Sequence, residues 1–256
     1  MAVRDFLYFC TILKTSLSIA TIILLITSSA LAQTNGVKPQ FWNNFGLNWN
    51  INEKLWQGNE VSYNFLVDED LPWSEVAYYG SVEYKIYPFM QGITGLYFAS
   101  TNQKKSIRTN ELRPFLGVRF VTSGDRRFSV GNLTRIEWRN LYYDDEGWDS
   151  SFRMRNRTTA VVALTNRSIL EDHTLSFFGY FEGYFNFNQI VAERFFTSLK
   201  YKLGLVYRFS SQWQVNLGTI FQQSKNTLSV PVSLPTGLVT NVVVETGVSY
   251  RIPSKH

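Results

Sequence analysis

Charged residues occupy every second position in Arg135-Ile136-Glu137-Trp138-Arg139 and again in Phe152-Arg153-Met154-Arg155-Asn156-Arg157, with apolar or aromatic side chains in most of the gaps. A β-strand sends alternate side chains to opposite faces, so this period of two predicts strands with one charged face and one apolar face. The alternation recurs between turn residues along the whole chain. It predicts strands at Phe41–Ile51, Trp56–Val67, Val76–Pro88, Ile93–Thr101, Thr109–Thr122, Phe128–Tyr143, Trp148–Leu164, Thr174–Phe187, Arg194–Phe209, Trp213–Ser224 and Asn241–Ile252. Several are longer than the roughly five or six residues usual in soluble sheets, and long enough to cross a bilayer at a tilt. No stretch of helical period competes with them. No break in composition divides residues 33–256, which read as one domain.

The pattern fits an all-β fold: a transmembrane, antiparallel, up-and-down β-barrel. Asn52-Glu53-Lys54, Phe89-Met90-Gln91, Gly124-Asp125-Arg126 and Ser210-Ser211-Gln212 predict tight turns. Asp68–Glu75, Asn102–Arg108 and Lys225–Thr240 predict longer loops. In outer-membrane barrels the short turns are periplasmic and the long loops external. Single-chain bacterial barrels have an even strand count, so the expectation is 10–12 strands with twelve preferred. Thr227–Leu234 and the residues before Phe41 are the candidates for the strand still to be placed.

Alternation alone does not say which face is inside, since a soluble lipocalin-like barrel is the same pattern inverted. Glycine placement discriminates. Gly117 shares the parity of Arg113 and Arg119, Gly204 that of Lys202 and Arg208, and Gly247 that of Glu245 and Arg251, although Gly80, Gly179 and Gly183 take the other parity. Strand glycines mark crowding, and the concave side of a barrel is the crowded one. The polar face is therefore expected to line the lumen.

The N-terminus supplies a compartment. Arg4 and Lys14 precede the apolar run Leu17–Ile26, and small residues lead to Ala30-Leu31-Ala32. This predicts a signal peptide over residues 1–32, cleaved after Ala32, and a destination in the outer membrane of a Gram-negative bacterium. Cys10 is the only cysteine and would leave with that segment. Formal net charge is +5, and +4 without Arg4, Asp5 and Lys14, too mild and too evenly spread for a nucleic-acid partner. Aromatic residues at 16% against charged residues at only 18% suit a surface that faces lipid.

Several segments together resemble the bacterial outer-membrane proteins of domain-of-unknown-function family 2490. They are Phe41-Trp42, Asn110-Glu111-Leu112-Arg113-Pro114, Arg135-x-Glu137-x-Arg139, Arg153-x-Arg155-x-Arg157, and Leu203-Gly204-Leu205-Val206-Tyr207-Arg208-Phe209 before Trp213. The likeness covers essentially all of residues 33–256 and implies an outer-membrane barrel with no established activity. The C-terminal Pro253-Ser254-Lys255-His256 departs from the aromatic residue on which such barrels commonly end.

Candidate chemistry is sparse. His173 follows Glu171 and Asp172 and lies near Ser168 and Ser176, but a hydrolytic triad there has no G-x-S-x-G context, and a solvated turn histidine is the simpler reading. His256 is the other histidine, and no metal-ligand spacing occurs. The expectation is therefore no catalytic residue, no cofactor and no metal. Asp68-Glu69-Asp70 and Asp144-Asp145-Glu146 read as solvated loop tips. Lys104, Lys105 and Arg108, on a predicted external loop, are candidates for contact with lipid or lipopolysaccharide phosphates.

The lumen carries most of the predicted chemistry. Arg113, Arg119, Arg135, Arg139, Arg153, Arg155, Arg157, Lys200, Lys202 and Arg208 should point inward together with Glu111, Glu137 and Glu182. Unpaired charge is costly to bury, so the expected arrangement is a structural network neutralised with help from Glu60, Glu83 and Glu245. The alternatives are a narrow, porin-like channel favouring small anions and, last, a lipid-modifying hydrolase. Protein partners are not specified by any of these segments.

Overall fold

The computed structural model describes residues 39–66, 72–104, 107–122, 126–144, 147–188, 191–193, 195–227 and 238–253. These residues form eleven strands and no helix: β1 (Gln40–Asn50), β2 (Leu55–Leu66), β3 (Trp73–Tyr87), β4 (Met90–Lys104), β5 (Ile107–Val121), β6 (Phe128–Tyr143), β7 (Gly147–Ala163), β8 (Thr174–Asn186), β9 (Phe196–Arg208), β10 (Trp213–Lys225) and β11 (Val239–Ile252). Every predicted strand is present, and β6 has the predicted bounds. Consecutive strands pair antiparallel, and the sheet closes on itself.

The closing seam differs from expectation. Eleven strands lie within the range of 10–12, but the count is odd, so β1 and β11 run in the same direction. They pair in parallel from Gln40↔Val243 to Trp49↔Ile252. Since β11 is bonded to β10 on its other side, no free edge remains for a twelfth strand among the described residues. Residues 228–237, which hold most of the candidate Thr227–Leu234, lie outside the described residues, as do the signal segment 1–32, Asp68-Glu69-Asp70, Lys105, Asp145, Glu146 and His256.

The turns divide the barrel into two ends. The tight turns after β1, β3 and β9 define the turn end, and β1 begins at the far end; Gly124 and Asp125 of the predicted Gly124-Asp125-Arg126 turn lie outside the described residues. Asn102–Arg108 is not the long far-end loop the sequence predicts. Thr101, Gln103 and Thr109 continue the inward alternation as buried residues, so β4 runs on to Lys104 and β5 restarts at Ile107, with a register shift between Asn102 and Lys104. Residues 164–173 make a longer connection at the turn end. Asn166 Nδ2 secures it by donating to the Asp172 carbonyl (3.0 Å) and to Thr174 Oγ1 (2.7 Å).

The face assignment drawn from glycine parity is the one observed. Leu116 (69% exposed), Ile136, Val61 and Leu203 face outward. Trp49, Tyr84, Tyr87 and Phe128 ring the turn end, and Tyr142, Trp148 and Phe185 the far end, all exposed. One outward patch on β6 and β7 is polar and self-satisfied: Asn156 Nδ2 donates to Thr134 Oγ1 (2.6 Å) and Asn132 Nδ2 to Thr158 Oγ1 (2.9 Å). Inside, Gly117 shows why the lumen face needs glycine. A Cβ there would meet the Thr134 carbonyl at 2.5 Å and Arg135 Cβ at 2.6 Å, so its absence lets the inward-pointing Arg135 pack against β5.

Two apolar clusters occupy parts of the lumen. Ile93, Phe115 and Leu133, with Tyr79 against them, pack within the β3–β6 wall. At the far end Val191 and Ala192, between β8 and β9, fold inward onto Leu141, Tyr143 and Phe196. Trp73 meets Phe195 edge-on at 5.3 Å.

Candidate functional site: the charged lumen

Strands β5 and β6 alternate arginine and glutamate on one face, β7 carries Arg153, Arg155 and Arg157 on one of its own, and register brings those faces together. Arg135 lies directly opposite Arg155, and Glu137 opposite Arg153. Like charges opposed across a strand pair are destabilising, and Glu137 resolves the conflict. It is fully buried and accepts from Arg135 Nε at 2.6 Å and Arg153 Nη2 at 2.5 Å. Arg113 Nη1 and Arg155 Nη1 stand a little further off, at 3.7 and 3.8 Å. One carboxylate thus holds four guanidinium groups.

Two further carboxylates extend the network on either side. Glu111 accepts a two-pronged contact from Arg113 (2.8 and 2.6 Å) and another from Arg139 (2.6 and 3.1 Å). Glu182 on β8 accepts from Arg155, from Arg157 Nε at 2.8 Å and from the Tyr184 hydroxyl at 2.7 Å. The remaining edge of Arg139 is met by Glu193, at 3.2 and 2.8 Å. Tyrosine and phenylalanine rings cover the open guanidinium faces: Arg113 lies over Tyr97 (4.3 Å), Arg153 over Tyr184 (4.6 Å), Arg157 over Tyr180 (4.5 Å) and Arg135 over Phe115 (4.6 Å). Two-pronged contacts and ring stacking are what guanidinium offers over ammonium, which explains the preference for arginine here.

Of the three expected neutralising glutamates, two form ion pairs and one does not. Glu83 pairs with Arg119 at 2.7 Å and Glu245 pairs with Lys202. Glu60 lines the lumen with no ion pair among the described residues. Lys200 is also without a carboxylate partner among them, and its ammonium sits over the Trp42 ring at 4.6 Å. Arg208, predicted as a member of the same network, ends β9 and donates instead to the Ile169 carbonyl (3.3 Å) and Gln214 Oε1 (3.5 Å) at the turn end.

The groups named in the sequence account for the arginine–glutamate centre but not for all of the site. Glu193 lies between strands, where no alternation could mark it. Tyr180 and Tyr184 share the parity of Glu182 on β8, so strand alternation places them on the same face. The charged wall encloses a cavity of about 400 Å³ bordered by side chains from all eleven strands. Outside it, Arg108 is exposed and donates from Nε to Asn102 Oδ1 (3.4 Å). His173 is exposed in the 171–173 turn with a left-handed φ of 56°, and Ser176 is buried on β8.

Residues 39–229 match the family described as Protein of unknown function (DUF2490), and the chain belongs to it. No curated protein and no solved structure matches the chain.

Proposed function

We propose that this DUF2490 chain is an integral outer-membrane β-barrel, exported on a signal peptide cleaved after Ala32, with a structural or interaction role and no enzymatic activity. The observation that carries this reading is the inversion of the usual core: large apolar side chains are exposed around the outside while Arg139, Glu137 and Glu182 are fully buried within. Lipid is the solvent that makes such an exterior favourable, and aromatic rims are where its headgroup regions would lie. On this reading the tight turns are periplasmic, and Lys104, Lys105 and Arg108 meet lipid or lipopolysaccharide phosphates. Membrane fractionation with a carbonate wash tests it. The protein is expected in the washed outer-membrane pellet, and recovery as a soluble periplasmic protein would overturn the proposal.

The absence of catalysis has its own test. His173 is exposed in its turn and does not border the lumen cavity. Replacing it with Ala is expected to leave phospholipid and lipopolysaccharide acyl profiles identical to the parent by mass spectrometry. Loss of an acyl modification would reinstate the hydrolase reading. A second reading, a narrow passage favouring small anions, draws support from the cavity and from the gathering of its cations on β5, β6, β7 and β9.

A further inference from the structure

Three charged groups on the cavity wall stand outside the ion pairs of the arginine–glutamate network. Lys200 lies on β9, and Glu60 and Glu75 lie on β2 and β3; among the described residues none makes a direct ion pair, although Glu182 acts on Lys200, Arg113 on Glu75 and Arg157 on Glu60 from further off. Each of the two best-held ones is fixed by neutral groups. Lys200 rests over Trp42 at 4.6 Å and Tyr184 at 5.8 Å. Glu75 accepts from Asn64 Nδ2 at 2.9 Å and Thr101 Oγ1 at 3.1 Å. A charged group oriented by neutral partners and outside any direct ion pair is preorganised, so a ligand that pairs with it pays little to order it.

Their placement is also specific. In the closed ring β3 stands five places from β9 in one direction and six in the other, so Lys200 and Glu75 face each other across the lumen. Every cation bordering the cavity belongs to β5, β6, β7 or β9, whereas Glu60 and Glu75 border it from β2 and β3. The β2–β3 side of the cavity is therefore acidic, while the side holding the cations is a mixed wall in which Glu111, Glu182 and Glu193 also take part. With strands about 4.8 Å apart and tilted by about 40°, opposite backbones lie roughly 22 Å apart. The two side chains span about half of that, leaving on the order of 10 Å between the charged groups, the length of about three extended residues.

We propose that the cavity binds an extended zwitterion of short-peptide class, its carboxylate taken by Lys200 and its ammonium by Glu75. The volume of about 400 Å³ lies within the range of small-ligand sites, and Tyr97, Tyr180 and Trp42 supply surfaces for the body of the ligand. A simple anion would use the cation-bearing wall alone and leave Glu75 opposing it. The inference does not depend on where the barrel resides, so its failure and that of the membrane reading are separable.

Calorimetric titration of the folded barrel in detergent micelles, with trialanine, N-acetyl-trialanine and trialanine amide as probes, tests it. Trialanine is expected to bind at least tenfold more tightly than either blocked form. Lys200→Met should lower trialanine to the affinity of the amide, and Glu75→Gln should lower it to that of the acetylated acid. These residues lie on opposite walls, so either variant decides the matter if the other fails to fold. Equal binding of trialanine and its acetylated form would make the cavity a plain anion site and overturn the proposal. So would the absence of trialanine binding to the folded parent.

Discussion

Glu137→Gln is expected to destabilise the folded barrel by about 3–5 kcal/mol, the range seen when one member of a buried ionic cluster is neutralised. The change keeps shape and removes only charge. It leaves Arg135 and Arg153, which touch this carboxylate at 2.6 and 2.5 Å, and Arg113 and Arg155 at 3.7 and 3.8 Å, facing one another without their shared counter-ion. Arg113 and Arg155 keep Glu111 and Glu182, so the loss should fall mainly on Arg135 and Arg153, for which Glu137 is the only ion-pair partner among the described residues. Reversible urea unfolding in lipid vesicles, together with the heat-induced mobility shift on gels, measures it. Glu83→Gln is the internal control. Its pair with Arg119 is single and the arginine side chain is 35% exposed, so about 0–1 kcal/mol is expected. Equal effects from the two variants would show that the central glutamate has no special role. A structural network also requires unchanged conductance in planar bilayers, whereas a rise in anion preference in Glu137→Gln would favour the passage reading.

What the sequence made legible follows from the physics of strands. Period-two alternation is local, so all eleven strands could be read from the chain, and β6 to the residue. Face assignment was also legible, because a glycine such as Gly117 is needed only where a neighbour's backbone and Cβ crowd the concave side. Closure was not. An even count is a rule about chain ends meeting antiparallel, and nothing local in Gln40–Asn50 or Val239–Ile252 announces that these two strands will pair in parallel. The arginines and glutamates of the centre were legible as a set, but their partners were not, since partner choice depends on register. Arg135 proved to lie opposite Arg155, and Glu137 opposite Arg153, an offset that alternation alone leaves free. Glu193 required the segment between β8 and β9 to fold inward, a tertiary event with no periodic trace.

Leu116→Arg is expected to cost about 2–4 kcal/mol in a bilayer, the penalty for a cation on the lipid face near the midplane of a barrel. Leu116 lies well inside β5, is 69% exposed, and is paired with Thr94 on one side and Ile136 on the other. An arginine there reaches no carboxylate of the inner network, because the sheet stands between them. Phe128→Arg, at the first position of β6 and 56% exposed, is the matched comparison. At the rim the guanidinium can reach the headgroups, and about 0–1 kcal/mol is expected. If the outer face met water instead, both substitutions would fall within about 0.5 kcal/mol of the parent, as surface changes usually do. Reversible unfolding from lipid vesicles gives the two numbers directly. A cost at position 116 that exceeds the cost at position 128 by about 2 kcal/mol or more requires a medium that penalises charge with depth, and a lipid bilayer is such a medium. Equal, small costs would leave the apolar exterior to be covered by protein, and would move the barrel out of the membrane while leaving its charged lumen intact.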